Sequence, residues 1–408
     1  MDNKSAQLKV SLQDIQEARK RLEKIILPTS VDWSASASKL MSTDIFFKYE
    51  NTQKTGSFKI RGAYNKISQL TDDEKKRGVI CSSAGNHAQG VALSASLAGV
   101  KSTIVMPQSA PLSKVSATKS YGAEVILHGE IYDEAFDKAK ELANERGSTF
   151  VPPYEDEKII AGQGTIGLEL VEQIQDLDTI IIPIGGGGLI SGVSIAAKAL
   201  KPGIKIIGVQ SSQACGMYEM YHHKTLSTPP RRMATIADGI AIKRPSRLMY
   251  ESFISQYVDE IVTVTDDEIA EGIVFLLERA KTVTEGSGAA AWAAVMNRTL
   301  SLGKRNCVIL SGGNIDLNIV AKIIEKGQIR RGRLIQLSVV VEDIPGRLNQ
   351  LTEIIAQQKA NILQVHHDRL SEGLFLRETR IDFELETTSL EHIEAIKQAI
   401  IKMGARLI

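Results

Sequence analysis

Thr55-Gly56-Ser57-Phe58-Lys59-Ile60-Arg61-Gly62-Ala63 is the stretch on which the reading of this chain turns. It sets a lysine where an extended segment gives way to a helix, with glycine and serine before it and small residues after it. A lysine amine captures carbonyl groups only when its neutral form is accessible, which requires burial or a neighbouring cation. Taken alone, the stretch also describes a surface lysine with a snorkelling stem. The partners that the rest of the chain offers the amine decide between the two.

Outward from it, short apolar runs alternate with helical periods. Residues 44–49, 78–81, 102–106, 123–127, 179–183, 205–209 and 306–310 are expected as strands. Helices are expected at 59–70, 87–98, 111–121, 132–146, 159–175, 189–200, 266–281 and 289–297. Residues 11–27 predict an amphipathic helix with Ile15, Ala18, Leu22 and Ile25 on one face. Residues 213–232 resist assignment, apart from a loop at Pro229-Pro230-Arg231-Arg232. Repeated apolar strand, glycine-rich turn and helix mean an α/β protein with a parallel sheet covered on both faces.

Composition changes near residue 330. Lys326-Gly327-Gln328-Ile329-Arg330-Arg331-Gly332-Arg333 is basic and glycine-punctuated. Residues 327–333 are read as a linker between a domain of 1–326 and one of 334–408. The latter predicts strands at 334–341, 361–369, 374–386 and 405–408, with helices at 348–359 and 390–403. That order is βαββαβ, a split-βαβ unit of ferredoxin-like type.

The 408 residues are 43% hydrophobic and 24% charged, with a formal net charge of +1. No global field favours nucleic acid or a membrane surface, and no apolar run has spanning length. Met1-Asp2-Asn3-Lys4 opens without the apolar core of a signal peptide. Cys81, Cys215 and Cys307 lie far apart without metal spacing, as buried thiols do in a reducing compartment. A cytoplasmic protein is expected, with no metal and no nucleic-acid or membrane partner.

Gly185-Gly186-Gly187-Gly188 follows an expected strand and opens a helix. Bared amides and the positive end of a helix dipole suit a phosphate there. A tight turn is the alternative, although consecutive glycines are costly in entropy. A dinucleotide site needs an acidic residue about 20 residues on to hold the ribose. The chain has Gln210, Ser211 and Ser212 instead, so a phosphate without its nucleoside is preferred. Ser83-Ala84-Gly85-Asn86-His87 is a second such turn, whose amides suit a carboxylate or merely start a helix. Asn86 offers a donor and an acceptor to a ring substituent, and His87 is read as ordering the loop. Ser311-Gly312-Gly313-Asn314 is a third turn, its hydroxyl facing a ring nitrogen or capping a helix. Open α/β sheets bind ligands at such strand ends. Pyridoxal 5'-phosphate, with a phosphate, an aldehyde, a ring oxygen and a ring nitrogen, accounts for all these features at once.

The motifs resemble, in the same order, those of the fold-type II pyridoxal-phosphate family, and within it the threonine/serine dehydratases. The matching residues are Ser57 to Ala63, Ser83-Ala84-Gly85-Asn86-His87-Ala88-Gln89-Gly90, Gly185-Gly186-Gly187-Gly188-Leu189 and Ser311 to Asn314, within residues 10–325. The resemblance implies a tryptophan synthase β-like architecture of two open parallel-sheet subdomains. The smaller one, about 52–152, is inserted in the larger. It implies that Lys59 binds the cofactor aldehyde and later acts as general base. Phe58 would pack on the ring, Asn86 bond the ring oxygen, and Ser311 face the pyridine nitrogen. Gly185, Gly186, Gly187, Gly188 and Leu189 would hold the phosphate. Gly239, in Asp238-Gly239-Ile240-Ala241, would line the cofactor's other side. Ser83, Ala84, Gly85, Asn86 and His87 would grip the substrate carboxylate. The implied activity is that of a carbon–nitrogen lyase, turning L-threonine into 2-oxobutanoate and ammonia and L-serine into pyruvate.

Departures narrow the choice. Related serine racemases carry a second serine where Ala84 stands, and alanine has no proton to move. Gln210, Ala214 and Gly216 occupy the place where metal-dependent relatives carry acidic ligands, so no divalent site is expected. Glu285, in Thr284-Glu285-Gly286-Ser287-Gly288, is either a polar contact of the site or a helix-start carboxylate. The C-terminal unit resembles an ACT domain through Asp343-Ile344-Pro345-Gly346-Arg347-Leu348 and its element order. That implies an amino-acid effector, isoleucine first, near Asp343, Pro345, Gly346 and Leu348, and a homo-oligomer (dimer or tetramer). A dimerisation module that binds nothing has the same pattern. His366-His367 makes a poor metal pair, because adjacent strand residues face opposite ways. The rivals are a serine racemase or β-replacement enzyme, and a non-catalytic amino-acid-binding regulator.

Overall fold

The run Thr179–Pro183 has no polar face to turn outward, and Ile180, Ile181 and Ile182 are fully buried. Such a strand needs cover on both faces, which helices flanking a parallel sheet provide. The computed structural model describes residues 7–230, 233–298, 300–370 and 372–408. The readings placed on Met1-Asp2-Asn3-Lys4 and on Arg231-Arg232 lie outside the described residues. The chain divides into two compact units, Met1–Ile315 and Asp316–Ile408.

In chain order the first unit contains β1 (Val31–Trp33), β2 (Asp44–Lys48), β3 (Val79–Ser82), β4 (Ser102–Met106), β5 (Glu124–Leu127), β6 (Thr149–Phe150), β7 (Thr179–Pro183), β8 (Lys205–Ser211), β9 (Glu260–Val264) and β10 (Arg305–Ile309). One sheet has the order β1-β2-β10-β7-β8-β9, parallel throughout except where β1 pairs antiparallel to β2. The other, β5-β4-β3-β6, is all parallel and falls between Val79 and Phe150. This is the α/β arrangement of two open sheets. It sets the C-terminal ends of β2, β10 and β7 side by side, and with them the turns at Lys59, Ser311 and Gly185.

Element ends depart from the periodic pattern where a cap intervenes. The first helix is Leu12–Leu22, opened by a capping box of Ser11 and Asp14; it stops five residues short of 27, leaving Ile25 beyond its end. The helix after Lys59 closes at Ile67, and the 266–281 helix is regular only to Phe275, widening into a π-turn over Leu276–Ala280. The described part of that stretch, residues 213–230, takes in the end of a 3-10 turn, Ser212–Ala214, and a short helix, Gly216–Tyr221. β1 and β6 were not expected, being too short for a periodic signal. β9 was also missed, because its alternation is broken, with only Ile261 and Val264 buried.

The second unit opens with the helix Leu317–Arg330, so residues 327–330, read as linker, are that helix's last turn. Then follow β11 (Leu334–Glu342), a helix Arg347–Gln357, β12 (Asn361–Asp368), β13 (Glu378–Glu386), a helix Leu390–Lys402 and β14 (Arg406–Leu407). The antiparallel sheet runs β12-β13-β11-β14. Thr379, Ile381, Phe383 and Leu385 alternate inward along β13, as a strand with one solvated face requires. β13 begins at Glu378 rather than near 374.

Candidate active site

Lys59 opens the Lys59–Ile67 helix, and the turn before it is stitched to the turn after β10. Phe58 N donates to Ser311 O at 3.2 Å, Gly313 N to Gly56 O at 2.9 Å, and Ser57 bridges to Gly312. The two turns therefore move as one piece. They face a cavity of about 1110 Å³. Phe58, Lys59, Ser83, Ala84, Gly85, Asn86, His87, Gly185, Gly186, Gly187, Gly188, Leu189, Gly239 and Ser311 all line it. The structure thus brings every residue expected to hold the cofactor or the substrate into one place.

The Lys59 amine donates to Pro153 O at 3.2 Å and lies 5.2 Å from the centroid of the Phe58 ring. The side chain is half-buried and lines the cavity. Burial holds its pKa down to about 8 from the usual 10.5, and the Glu285 carboxyl opposes that only partly. Burial and the nearby Lys59 charge drive the His87 imidazole down to about 3. His87 Nε2 is committed to Val151 O at 2.9 Å. A neutral, tethered ring orders the loop and is a weak base.

Two helices start at the cavity without a side-chain cap. Asn86–Leu97 follows Gly85, and Gly188–Leu200 follows Gly187, whose φ of +98° a side chain would strain. Their first amides remain for an anion. A Cβ on Gly186 would overlap the ring of Tyr154, and one on Gly188 would stand 2.9 Å from Tyr154 Cβ. Tyr154 was not singled out from the sequence. It enters from an irregular segment with no motif of its own, and the bare glycines beneath it were the only signal.

Glu285 precedes the helix Gly286–Asn297 but makes no capping bond. Its Oε1 instead accepts from Asn86 Nδ2 at 2.6 Å, so it is a polar contact of the site. Burial and then Asp238 push its pKa up to about 8, while Lys114, the Asn86 bond and Lys59 pull it back. Ser311 Oγ makes only a long contact, 3.5 Å, to Ser287 O. Gln210 is buried, accepts from Tyr218 N at 2.8 Å and donates to Ile184 O at 3.4 Å. No metal-ligand group occurs among the described residues, and none of their helices is long and apolar enough to cross a membrane.

In the second unit, Asp343, Pro345, Gly346 and Leu348 line a separate cavity of about 310 Å³ with Arg347, His367, Arg369 and Thr379. Asp343 pairs with Arg369 at 2.9 Å. Arg347 Nε and His367 Nε2 are buried there without a partner.

A family model described as pyridoxal-phosphate dependent enzyme matches residues 22–313. The chain belongs to that family. Among relatives of this pyridoxal-phosphate dependent enzyme, the L-threonine ammonia-lyase of Thermotoga maritima is 46% identical over 395 residues, 97% of this chain and 98% of the relative. The catabolic L-threonine dehydratase of Escherichia coli K12 is 48% identical over 319 residues, 78% of this chain and 96% of that one. Among solved structures, maize serine racemase has a TM-score of 0.73 at 35% identity, covering 79% of this chain and 99% of its own.

The residues present fit the cofactor of a pyridoxal-phosphate dependent enzyme. The glycine turn lines the cavity and is packed too closely by Tyr154 to admit side chains, two helices start there with uncapped amides, and burial lowers the Lys59 pKa. Gly186→Val tests the glycine turn. The added side chain collides with Tyr154, and overpacking of this kind costs about 1–3 kcal/mol. Pyridoxal-phosphate affinity, read by titrating cofactor-free protein, should fall about ten- to hundredfold. Unchanged affinity would show that the phosphate sits elsewhere.

Proposed function

We propose that this enzyme deaminates L-threonine to 2-oxobutanoate and ammonia, and L-serine to pyruvate. The observation that carries the reading is the pairing of an amine near neutrality, Lys59, with a methyl group at Ala84 where a second proton carrier would stand. The match to the Thermotoga ammonia-lyase along nearly the whole chain supports it.

Pyridoxal phosphate supplies the electron sink that acidifies the α-hydrogen of the bound amino acid. Gly185 to Gly188 and Leu189 would hold its phosphate, Asn86 its ring oxygen, Phe58 and Gly239 its faces, and Ser311 its ring nitrogen. A neutral hydroxyl at Ser311 leaves that nitrogen less cationic than a carboxylate would. The amides of Ser83 to His87 orient the substrate carboxylate. Lys59 Nζ takes the α-proton, the β-hydroxyl leaves as hydroxide, and the proton that Lys59 then gives up completes the water. The released enamine regains that water on hydrolysis, so the net products are the 2-oxo acid and ammonia. With one base and Ala84 opposite, the proton is not returned to the other face.

Incubation with L-threonine and L-serine, assaying 2-oxo acid against D-serine, tests this. The 2-oxo acids should dominate. Dominant D-serine would favour the racemase reading, which the likeness to maize serine racemase keeps in play.

Residues up to about 326 are read as the catalytic domain and 334–408 as an ACT-like sensor, working in a cytoplasmic homo-oligomer. The unpartnered Arg347 Nε and His367 Nε2 beside Asp343 support a small polar effector there, isoleucine first. Isoleucine should change the activity with L-threonine in a saturable way. If neither isoleucine nor valine does so, the sensor reading fails.

A further inference from the structure

An asparagine side chain is nearly symmetric in shape but not in hydrogen bonding, so a site that needs its NH2 group must fix which end is which. Three hydrogen bonds do this for Asn86. The Thr55 carbonyl can only accept, and Asn314 Nδ2 donates to it at 2.7 Å. The same nitrogen donates to Asn86 Oδ1 at 2.8 Å. Asn86 Nδ2 is thereby fixed as the donor end, and it gives one hydrogen to Glu285 Oε1 at 2.6 Å. Its second hydrogen is left for the cavity that Asn86 lines.

The row crosses four turns: the one before Lys59, the one after β10, the one before the Asn86–Leu97 helix and the one before the Gly286–Asn297 helix. Glycines clear its path. A Cβ on Gly56 would overlap the Asn314 amide. One on Gly312 would overlap the Glu285 carboxyl and approach Asn86 Nδ2 to 3.0 Å. Glu285 is 4% exposed and stands at a helix start without capping it, so its side chain is given over to Asn86.

We infer that Asn314 and Glu285 are positioning residues that turn the donor end of Asn86 toward the cofactor's ring oxygen. The inference rests on the proposed contact between Asn86 and that oxygen. It is tested on the full-length protein, freed of cofactor and titrated with pyridoxal 5'-phosphate. Glu285→Ala and Asn314→Asp should each weaken binding about five- to tenfold, the effect of one lost orienting hydrogen bond. Asn314→Asp keeps the shape but cannot donate. In an Asn86→Ala background neither change should weaken binding further, because both act through Asn86. Glu285→Gln should bind as the parent does, its amide oxygen accepting the same hydrogen. If the losses from Asn86→Ala and Glu285→Ala multiply, or Glu285→Gln binds as poorly as Glu285→Ala, the positioning role is wrong. If Asn86→Ala leaves affinity unchanged, the underlying contact is wrong and the inference goes with it.

Discussion

Lys59→Ala protein should show no visible absorbance band after equilibration with pyridoxal phosphate and dialysis, and should process L-threonine at least about 10³-fold more slowly. Both losses follow from one nitrogen, since the amine that links to the aldehyde is also the base that takes the α-proton. The fold should survive. A lysine whose pKa falls to about 8 on folding opposes folding at neutral pH by at most about 3 kcal/mol. That penalty is complete below pH 8 and disappears as pH rises from 8 to 10.5, because the unfolded chain binds the extra proton in that window. The cofactor-free Lys59→Ala protein should therefore melt at or above the parent's temperature at pH 7, and the difference should shrink by pH 10. Capture of pyridoxal phosphate by the parent protein should accelerate with pH, half-maximal near 8. A variant that keeps its band, or a parent whose capture rate is flat from pH 6 to 10, would remove Lys59 from its assigned place.

Which parts of this site were legible in the sequence follows from how each residue announces itself. Gly185 to Gly188 and Gly85 sit at strand-to-helix turns, where missing side chains are themselves the signal. Ser311 and Lys59 are marked by the same punctuation. Tyr154 carries no such mark, because its meaning depends on packing over Gly186. Glu285 carried two readings, and only folding could choose, since its partner Asn86 lies 199 residues away in the chain. Among the elements, Tyr132–Arg146 and Thr179–Pro183 match their expected limits. Gly147, in the left-handed conformation, ends the first, and Pro183 ends the second. The π-turn at Leu276–Ala280 has no such punctuation, and no local residue type forecasts it.

Arg61, two residues beyond Lys59, carries the other large expectation. It points away from the cavity into a cluster in which Arg61, Glu50 and Lys48 are fully buried and Glu169 lies at the edge, 16% exposed. Its guanidinium grips Glu50 through two bonds, Nε to Oε2 at 2.8 Å and a second nitrogen to Oε1 at 2.7 Å. It also bonds Glu169 and Thr165. Lys48 reaches the same Glu169 at 2.6 Å, with Thr29 O and Gln173 at 3.0 Å. Two cations thus meet two carboxylates, drawn from β2, the segment after it, the Lys59 helix and the long helix Glu157–Gln173. Burial alone would lower the Arg61 pKa and raise that of Glu169, yet the opposite charges win at both: Arg61 ends higher and Glu169 lower. Arg61→Ala leaves Glu50 buried and charged with little beyond the Thr29 hydroxyl, and breaking such a pair costs about 3–5 kcal/mol. Denaturant unfolding should show a loss of that size, and adding Glu50→Gln should recover part of it by removing the orphaned charge. A loss under about 1 kcal/mol would mean that water reaches the cluster and solvates Glu50. Because the cluster pins the helix whose first residue is Lys59, cofactor affinity should fall with Arg61→Ala and return with the second change. The stability of this buried network and the aim of the amine are then two consequences of one arrangement.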